Sequence, residues 1–265
     1  MPTTCIDTPW KAEVADLFAK IGFDGATYLV DANTLPADHE YGAGGNWLGV
    51  AGPLLDLSLE SHLRSQGLWG GRRRAILLAI DKIDAMLGEY ARQKTLAVAV
   101  HELCHHLADA DPAWLLDLDQ MPAERAEQAR RHVADRPGPA PLRTAENVRT
   151  HHGSTWLRAI AHASFRAVHT DAGSLLSPAI VAAENAGTGP QWPLAPIRQY
   201  IQALGDEPRR LASLPIVEAL ACPPPESFTR FAEADLQRAL AELGAAAKQE
   251  PPRPLTLNSF PGIVI

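Results

Sequence analysis

Two histidines and a glutamate stand at a spacing that suits a catalytic metal ion. The segment His101-Glu102-Leu103-Cys104-His105 has the pattern H-E-x-x-H. On a helix, residues four apart lie on the same face, so the two imidazoles can hold one zinc ion. The glutamate between them can act as a base on the water that the zinc carries. We therefore expect His101 and His105 to be metal ligands and Glu102 to be the catalytic residue.

The element that positions this motif is predicted to be a helix over roughly residues 93–110. Apolar side chains recur there at i, i+4, i+7 and i+11, namely Leu96, Val100, Leu103 and Leu107. This spacing indicates one buried face, with the histidines on a neighbouring stripe that borders a cleft. Cys104 falls on the apolar stripe and is interpreted as a core residue rather than a ligand. His106 is expected to point away from the metal, at the surface or behind the ligands.

A catalytic zinc site needs a third protein ligand, and the residues leave several candidates open. Asp111 lies ten residues after His101, where the long form of the motif places its third ligand. A glutamate on a following helix, such as Glu146 or Glu184, is a second candidate. His152 is a third, because a histidine just before a glycine at a helix start can turn its ring toward a neighbour; His151 is its rival.

The chain resembles the SprT-like (Spartan-type) zinc metallopeptidases of the zincin superfamily. That family combines an H-E-x-x-H after an apolar helical run with a His-Gly-x-x-(Phe/Trp) helix start, and this chain has His152-Gly153-Ser154-Thr155-Trp156. The resemblance covers roughly residues 25–170 and implies that His152 is the third zinc ligand. The long interval between His105 and His152 includes the Pro-rich stretch 134–142, which is interpreted as an exposed linker or insertion.

The remaining elements are predicted from hydrophobic spacing and turn residues. A first helix follows Thr8-Pro9 and stops at Gly22. Short strands are expected at residues 26–30, 47–50 and 54–59. A long helix is expected to carry Ile76, Leu77, Ile80, Ile83, Leu87 and Tyr90. Further helices are expected from near Gly153 and over residues 196–204, 208–221 and 227–243.

These elements predict an α+β, zincin-like fold. A small sheet of three or more strands would pack on the long helix and on the zinc-motif helix. Residues 1–186 would form the metallopeptidase domain, and residues 187–265 a helical extension with a Pro-rich tail. The segment Trp47–Leu59 is expected near the cleft, as a sheet edge that receives an extended substrate by strand addition.

Composition narrows the function classes. The 265 residues carry a formal net charge of −7, so nucleic acid is not expected as the main partner. Cys5, Cys104 and Cys222 are too few and too widely spaced for a disulfide framework, which favours a reducing, cytoplasmic compartment. No run approaches the roughly 20 apolar residues that a membrane span needs, so no membrane partner is expected.

The expected function is zinc-dependent hydrolysis of peptide bonds in a protein or peptide substrate, with water activated by Glu102. The residue that stabilises the oxyanion is not identified by any motif; Tyr200, Arg158 and His169 are candidates. Two alternatives remain open. The chain could be a catalytically inactive, zincin-like scaffold that binds a partner, or a zinc hydrolase that acts on a small amide.

Overall fold

A three-stranded mixed sheet lies at the centre of the fold. Its strands are Thr27–Asp31 (β1), Gly49–Ala51 (β2) and Arg74–Leu78 (β3), in the order β1-β3-β2. β1 pairs with β3 in parallel, and β2 pairs with β3 in antiparallel orientation. The computed structural model describes residues 8–23, 27–39, 41–42, 47–68, 74–108, 154–170, 173 and 194–249.

Most of the described chain is helical, which confirms the α+β class. The helices are Pro9–Lys20 (α1), Pro53–Ser65 (α2), Ile80–Leu87 (α3), Ala91–Leu107 (α4), Ser154–Ala167 (α5), Leu194–Leu204 (α6), Glu207–Arg210 (α7), Ile216–Ala221 (α8) and Glu226–Gln249 (α9). Short 3-10 turns cover Ala32–Thr34 and Gly88–Tyr90. The predicted first helix agrees with α1, including its stop at Gly22, which adopts a positive φ of 79°. The predicted strand at 26–30 agrees with β1.

Each face of the sheet packs against its own hydrophobic core. Successive strand residues point to opposite faces, so the side chains divide by alternation. Leu29, Ile76 and Leu78 join the core formed with α1, α4 and α5. Tyr28, Val30 and Leu77 join a second core with Leu55, Leu59 and Leu63 of α2. The sheet is therefore covered on both faces, and β3, its central strand, is buried along residues 75–78.

The helix that carries the metal motif is buried on nearly all sides. From Thr95 to Cys104 every residue of α4 is buried. Helices α1, α3 and α5 and strands β2 and β3 all contact it. The helix was predicted with one core face and one open face, but its buried surface is wider, because β2 and α5 cover the side next to the histidines.

Two predicted elements are wrong. Residues 54–59, predicted as a strand, belong to α2, whose first turn contains Pro53 and whose buried Leu55, Leu59 and Leu63 recur at the helical spacing of four. The predicted long helix from Ile76 is instead strand β3, followed by the shorter α3 and a 3-10 turn. The apolar run of β3 is short and buried on both faces, so it has no periodicity that separates strand from helix.

The C-terminal helices pack on the same core as the motif helix. Tyr200, Leu204, Ile216 and Phe228 belong to one buried cluster with residues of α4 and α5. Predicted helices 196–204 and 227–243 match α6 and α9 within a few residues, but 208–221 is two short helices separated at Leu211–Pro215. The proposed division at residues 186 and 187, the stretch 134–142 and the Pro-rich tail lie outside the described residues.

No helix in the described part of the chain combines the length and the apolar character needed to cross a bilayer.

Candidate metal centre

His101 and His105 lie side by side on α4, as their spacing predicts. Their ring centroids are 5.2 Å apart, with the rings inclined at 62°. His101 is buried, and His105 is half-buried. Burial, with a smaller contribution from the charge of Lys94, lowers the pKa of His101 to about 3. The imidazole is therefore neutral at physiological pH, which is the form that binds a metal ion.

Trp156 of α5 packs against both histidine rings. Its ring centroid lies 4.9 Å from that of His101 and 5.8 Å from that of His105. Its indole Nε1 donates a hydrogen bond to the backbone carbonyl of His101 at 3.4 Å. The start of α5 is thereby held against the motif, and the tryptophan limits the orientations that the two imidazoles can adopt.

Glu102 is a fully buried carboxyl group at 0% exposure. Among the described residues, neither of its carboxylate oxygens has a hydrogen-bond partner of normal geometry. Burial raises the pKa of Glu102 well above its usual range, and the backbone N–H of Ala51 opposes only part of that rise. A buried polar group without a partner costs free energy, so this carboxyl differs from the buried polar groups that the fold pairs.

Strand β2 lies directly against Glu102 through Gly49. A Cβ added to Gly49 would lie 2.5 Å from Val98 Cγ1 and 2.8 Å from Glu102 Oε1. These distances are shorter than real Cβ contacts, so only glycine allows the strand to approach α4 this closely. The expectation that the segment 47–59 lies near the motif is confirmed at Gly49, although residues 53–59 form α2 rather than a strand.

The end of α4 is fastened to the sheet through His106. Its Nε2 lies 2.8 Å from the backbone carbonyl of Ala75 on β3, and the Arg74 side chain donates to the His106 carbonyl. His106 is buried, which excludes the surface alternative and leaves the position behind the ligands. These bonds fix the rotation of the helix about its axis and thus the direction of the neighbouring His105. Cys104 is a buried core residue as expected, and burial raises the pKa of its thiol well above its usual range.

The candidate third ligands lie outside the described residues. This holds for His152 and for its rivals His151, Asp111, Glu146 and Glu184. Among the residues that the structure describes, no group of three or more His, Cys, Asp or Glu side chains is arranged to hold a metal ion. The described part therefore brings together His101, Glu102 and His105, and the third ligand stays a prediction.

Two of the three candidates for oxyanion stabilisation make other interactions. Arg158 donates to Glu207 from Nε at 3.1 Å and from Nη2 at 2.5 Å, and it also donates to backbone carbonyls of residues 219, 220 and 222. The Tyr200 hydroxyl donates to Asp235 at 2.9 Å. His169 is exposed beyond the C-terminal end of α5. Arg158 thus ties α5 to α7 and α8, and Tyr200 ties α6 to α9.

No protein family, curated protein or solved structure matched this chain in comparisons with known proteins. The α+β architecture and the His101-Glu102-His105 geometry are therefore the basis for any assignment.

One residue of the site, Gly49, is not part of any sequence motif. Gly49 matters because of the space that a side chain would fill, and this depends on the packing of β2 on α4. The only hint in the sequence is a glycine inside a predicted strand, which often marks close approach of another group.

Proposed function

We propose that this chain is a zinc-dependent metallopeptidase of the SprT-like kind. The observation that carries the proposal is the buried, unpaired Glu102 carboxyl between two adjacent imidazoles, His101 and His105. Burying a carboxyl group without a partner costs free energy, and protein folds retain such groups chiefly at functional sites. A scaffold without catalysis would have no use for that cost.

The residues present fit a zinc ion. His101 is held in the neutral form that a metal ligand requires, and the two rings lie close enough to share one ion at the usual Zn–N distance of about 2.0–2.1 Å. Bound zinc would supply a Lewis acid that polarises the scissile carbonyl and makes water more acidic. Zinc is the expected cofactor on the chemistry of this donor set.

His152 is proposed as the third ligand. It precedes Ser154, the buried first residue of α5, by two positions, and two residues span at most about 7 Å. Trp156, in the first turn of the same helix, touches both His101 and His105. The start of α5 is thus near the motif, which supports His152 as the third ligand.

Glu102 is proposed as the general base. Its pKa, raised by burial, suits a group that accepts a proton from water at one carboxylate oxygen and then returns it to the leaving amine. Because no described side chain binds either oxygen, the carboxyl has no competing partner to displace.

Strand β2 is proposed to hold the substrate. In the described sheet it is an edge strand, paired only with β3, and Gly49 places it beside Glu102. An extended peptide could pair with its outer edge through backbone hydrogen bonds. This would bring the scissile bond alongside the carboxyl group and favours a protein or peptide over a small amide as substrate.

The test is hydrolysis by the zinc-loaded full chain, with Glu102→Gln as the matched variant. Unfolded protein, short peptides and a small amide are offered in parallel. We expect cleavage of the protein or peptides that falls by about 10²–10⁴-fold in Glu102→Gln while zinc is retained. If the zinc-loaded chain cleaves only the small amide, the peptidase assignment is wrong. If it binds zinc but cleaves nothing, the scaffold alternative holds.

A further inference from the structure

A cavity of about 560 Å³ opens at the edge of the sheet opposite β2. It lies between the C-terminal end of α1, strand β1 and the loop from Leu211 to Pro215. Its volume falls within the roughly 300–1,000 Å³ that small-molecule sites occupy. Thr27 and Leu29 line it from β1, the strand at the other edge of the sheet from Gly49. No residue of the metal motif contributes to its walls.

Both charged residues among the described lining residues are cations. Arg166 of α5 reaches the cavity from one side and Lys20 of α1 from another, and no carboxylate of the described chain lines it. Lys20 is exposed and pairs with Asp16 on its own helix at 2.6 Å. The cavity is thus locally positive although the chain as a whole carries a net charge of −7.

Arg166 has donors left over after its structural contacts. Nη1 donates to the carbonyl of Ile21 at 2.9 Å and Nη2 to that of Leu211 at 3.0 Å, which ties α1 to the loop before α8. A guanidinium has five N–H donors, so these two hydrogen bonds do not exhaust it. Two carbonyls do not neutralise the charge, so a half-buried positive group remains beside the cavity.

The other walls are suited to an apolar body with one polar end. Phe18, Ile21 and Leu29 supply apolar surface. Thr27 is buried at 7% exposure and lines the same cavity from β1. A guanidinium binds carboxylates strongly, through hydrogen bonds assisted by its charge.

We propose that this cavity is a binding site for a small monocarboxylate with an apolar body. The carboxylate would lie against the Arg166 guanidinium, and the apolar body would contact Phe18, Ile21 and Leu29. A single negative charge matches the one half-buried cation, whereas a phosphate would leave a second charge to be balanced in apolar surroundings. This site is independent of the metal centre.

The test is calorimetric titration of the full chain with octanoate. We expect saturable binding of one octanoate per chain with a Kd below about 1 mM. Octanol has the same body without charge, and inorganic phosphate has charge without the body. Both should bind at least about tenfold more weakly. Equal binding of octanol would overturn the role of Arg166, and binding of phosphate in preference to octanoate would overturn the ligand class.

Two variants locate the site. Ala15→Phe fills the cavity from α1 and should weaken octanoate binding by about tenfold or more, while Ala12→Phe, exposed on the same helix, should leave it unchanged. Arg166→Gln should weaken binding by about 10- to 100-fold, and the exposed Arg230→Gln serves as its control. If Arg166→Gln does not fold, the Ala15→Phe result decides.

A carboxylate could also bind a metal ion, so the titration is repeated with His101→Ala. Unchanged octanoate affinity in that variant supports the separate cavity. Loss of binding in His101→Ala, or wild-type affinity in Ala15→Phe, would contradict the proposal without bearing on the peptidase function.

Discussion

Two glutamates of this chain, Glu102 and Glu207, are both fully buried but lie in opposite environments. Glu102 has no side-chain hydrogen-bond partner among the described residues, and burial raises its pKa more than the backbone N–H of Ala51 lowers it. Burial would also raise the pKa of Glu207, but His162, whose Nε2 lies 3.7 Å from a carboxylate oxygen, and Arg158, which donates hydrogen bonds to the carboxylate, outweigh it and lower the pKa. The comparison shows how the fold distinguishes a carboxylate that holds helices together from one that no described side chain pairs with.

The Glu207 region supports the Glu102 region through α5. Arg158, which pairs with Glu207, lies two residues after Trp156, which packs on the metal-motif histidines. Arg158 also donates to three backbone carbonyls at the C-terminal end of α8. The C-terminal helices thereby fix α5, and α5 in turn fixes the histidine rings.

Removing the partner of Glu207 should have the largest effect on stability. Arg158→Met leaves a buried, unpaired carboxylate and is expected to lower the free energy of unfolding by about 3–5 kcal/mol. Urea denaturation measures it, with Arg230→Met at an exposed ion pair as a control that should change little. The loss should shrink as the pH falls below the ordinary glutamate pKa of about 4.3, because the stability that the lowered pKa of Glu207 gives the unaltered protein is lost there. A loss below about 1 kcal/mol would break the contrast between the two glutamates.

The third ligand should have the next largest effect, on zinc affinity. His152→Ala is expected to weaken zinc binding by more than about 100-fold, because it removes a direct ligand. Asp111→Ala should weaken it by about 10–100-fold at most, as for a group that only orients a ligand. Zinc titration against a competing chelator measures both. The reverse order would assign the ligand to Asp111 and leave the two motif histidines in place.

Gly49 provides a smaller and more local test of how Glu102 is enclosed. Gly49→Ala should lower the free energy of unfolding by about 1–3 kcal/mol, since the new methyl group overlaps Val98 and Glu102. In a Val98→Ala background the cost should be at least about 0.5 kcal/mol lower, because one of the overlapping atoms is gone. Strictly additive effects of the two substitutions would show that β2 does not lie as close to α4 as described.

The smallest expected effect has the opposite sign. Glu102→Gln should raise the free energy of unfolding of the metal-free protein by about 1 kcal/mol at pH 8. At that pH the glutamate is charged in the unfolded chain, and burial, which raises its pKa, therefore opposes folding. Glu207→Gln should lower it under the same conditions, since it removes the charge that Arg158 pairs with. If both substitutions destabilise the protein equally, the two glutamates do not differ as proposed.

Local patterns predict the elements that carry the chemistry, but contacts between distant residues escape them. The helix α4, the neighbouring rings of His101 and His105, and the strand β1 all follow from spacing within a few residues. The strand predicted at 54–59 is wrong, although Leu55, Leu59 and Leu63 already recur at the helical spacing of four behind Pro53.

Tertiary pairing accounts for what the sequence could not reveal. Arg158 and Glu207 are 49 residues apart and meet only because α5 and α7 pack together. The importance of Gly49 likewise depends on an approach between β2 and α4 that no local pattern encodes. Arg158 was a reasonable candidate for oxyanion stabilisation from its residue type alone, and its position in the fold assigns it to the ion pair.

The most direct test of the central claim is the zinc content of the purified full chain, prepared without chelator, beside that of His101→Ala and Glu102→Gln. We predict one zinc per chain in the unaltered protein and in Glu102→Gln, and a large loss in His101→Ala, because the histidine is a ligand and the glutamate is not. Absence of zinc in the unaltered protein, with none taken up when zinc is added, would contradict the account, as would equal zinc content in His101→Ala.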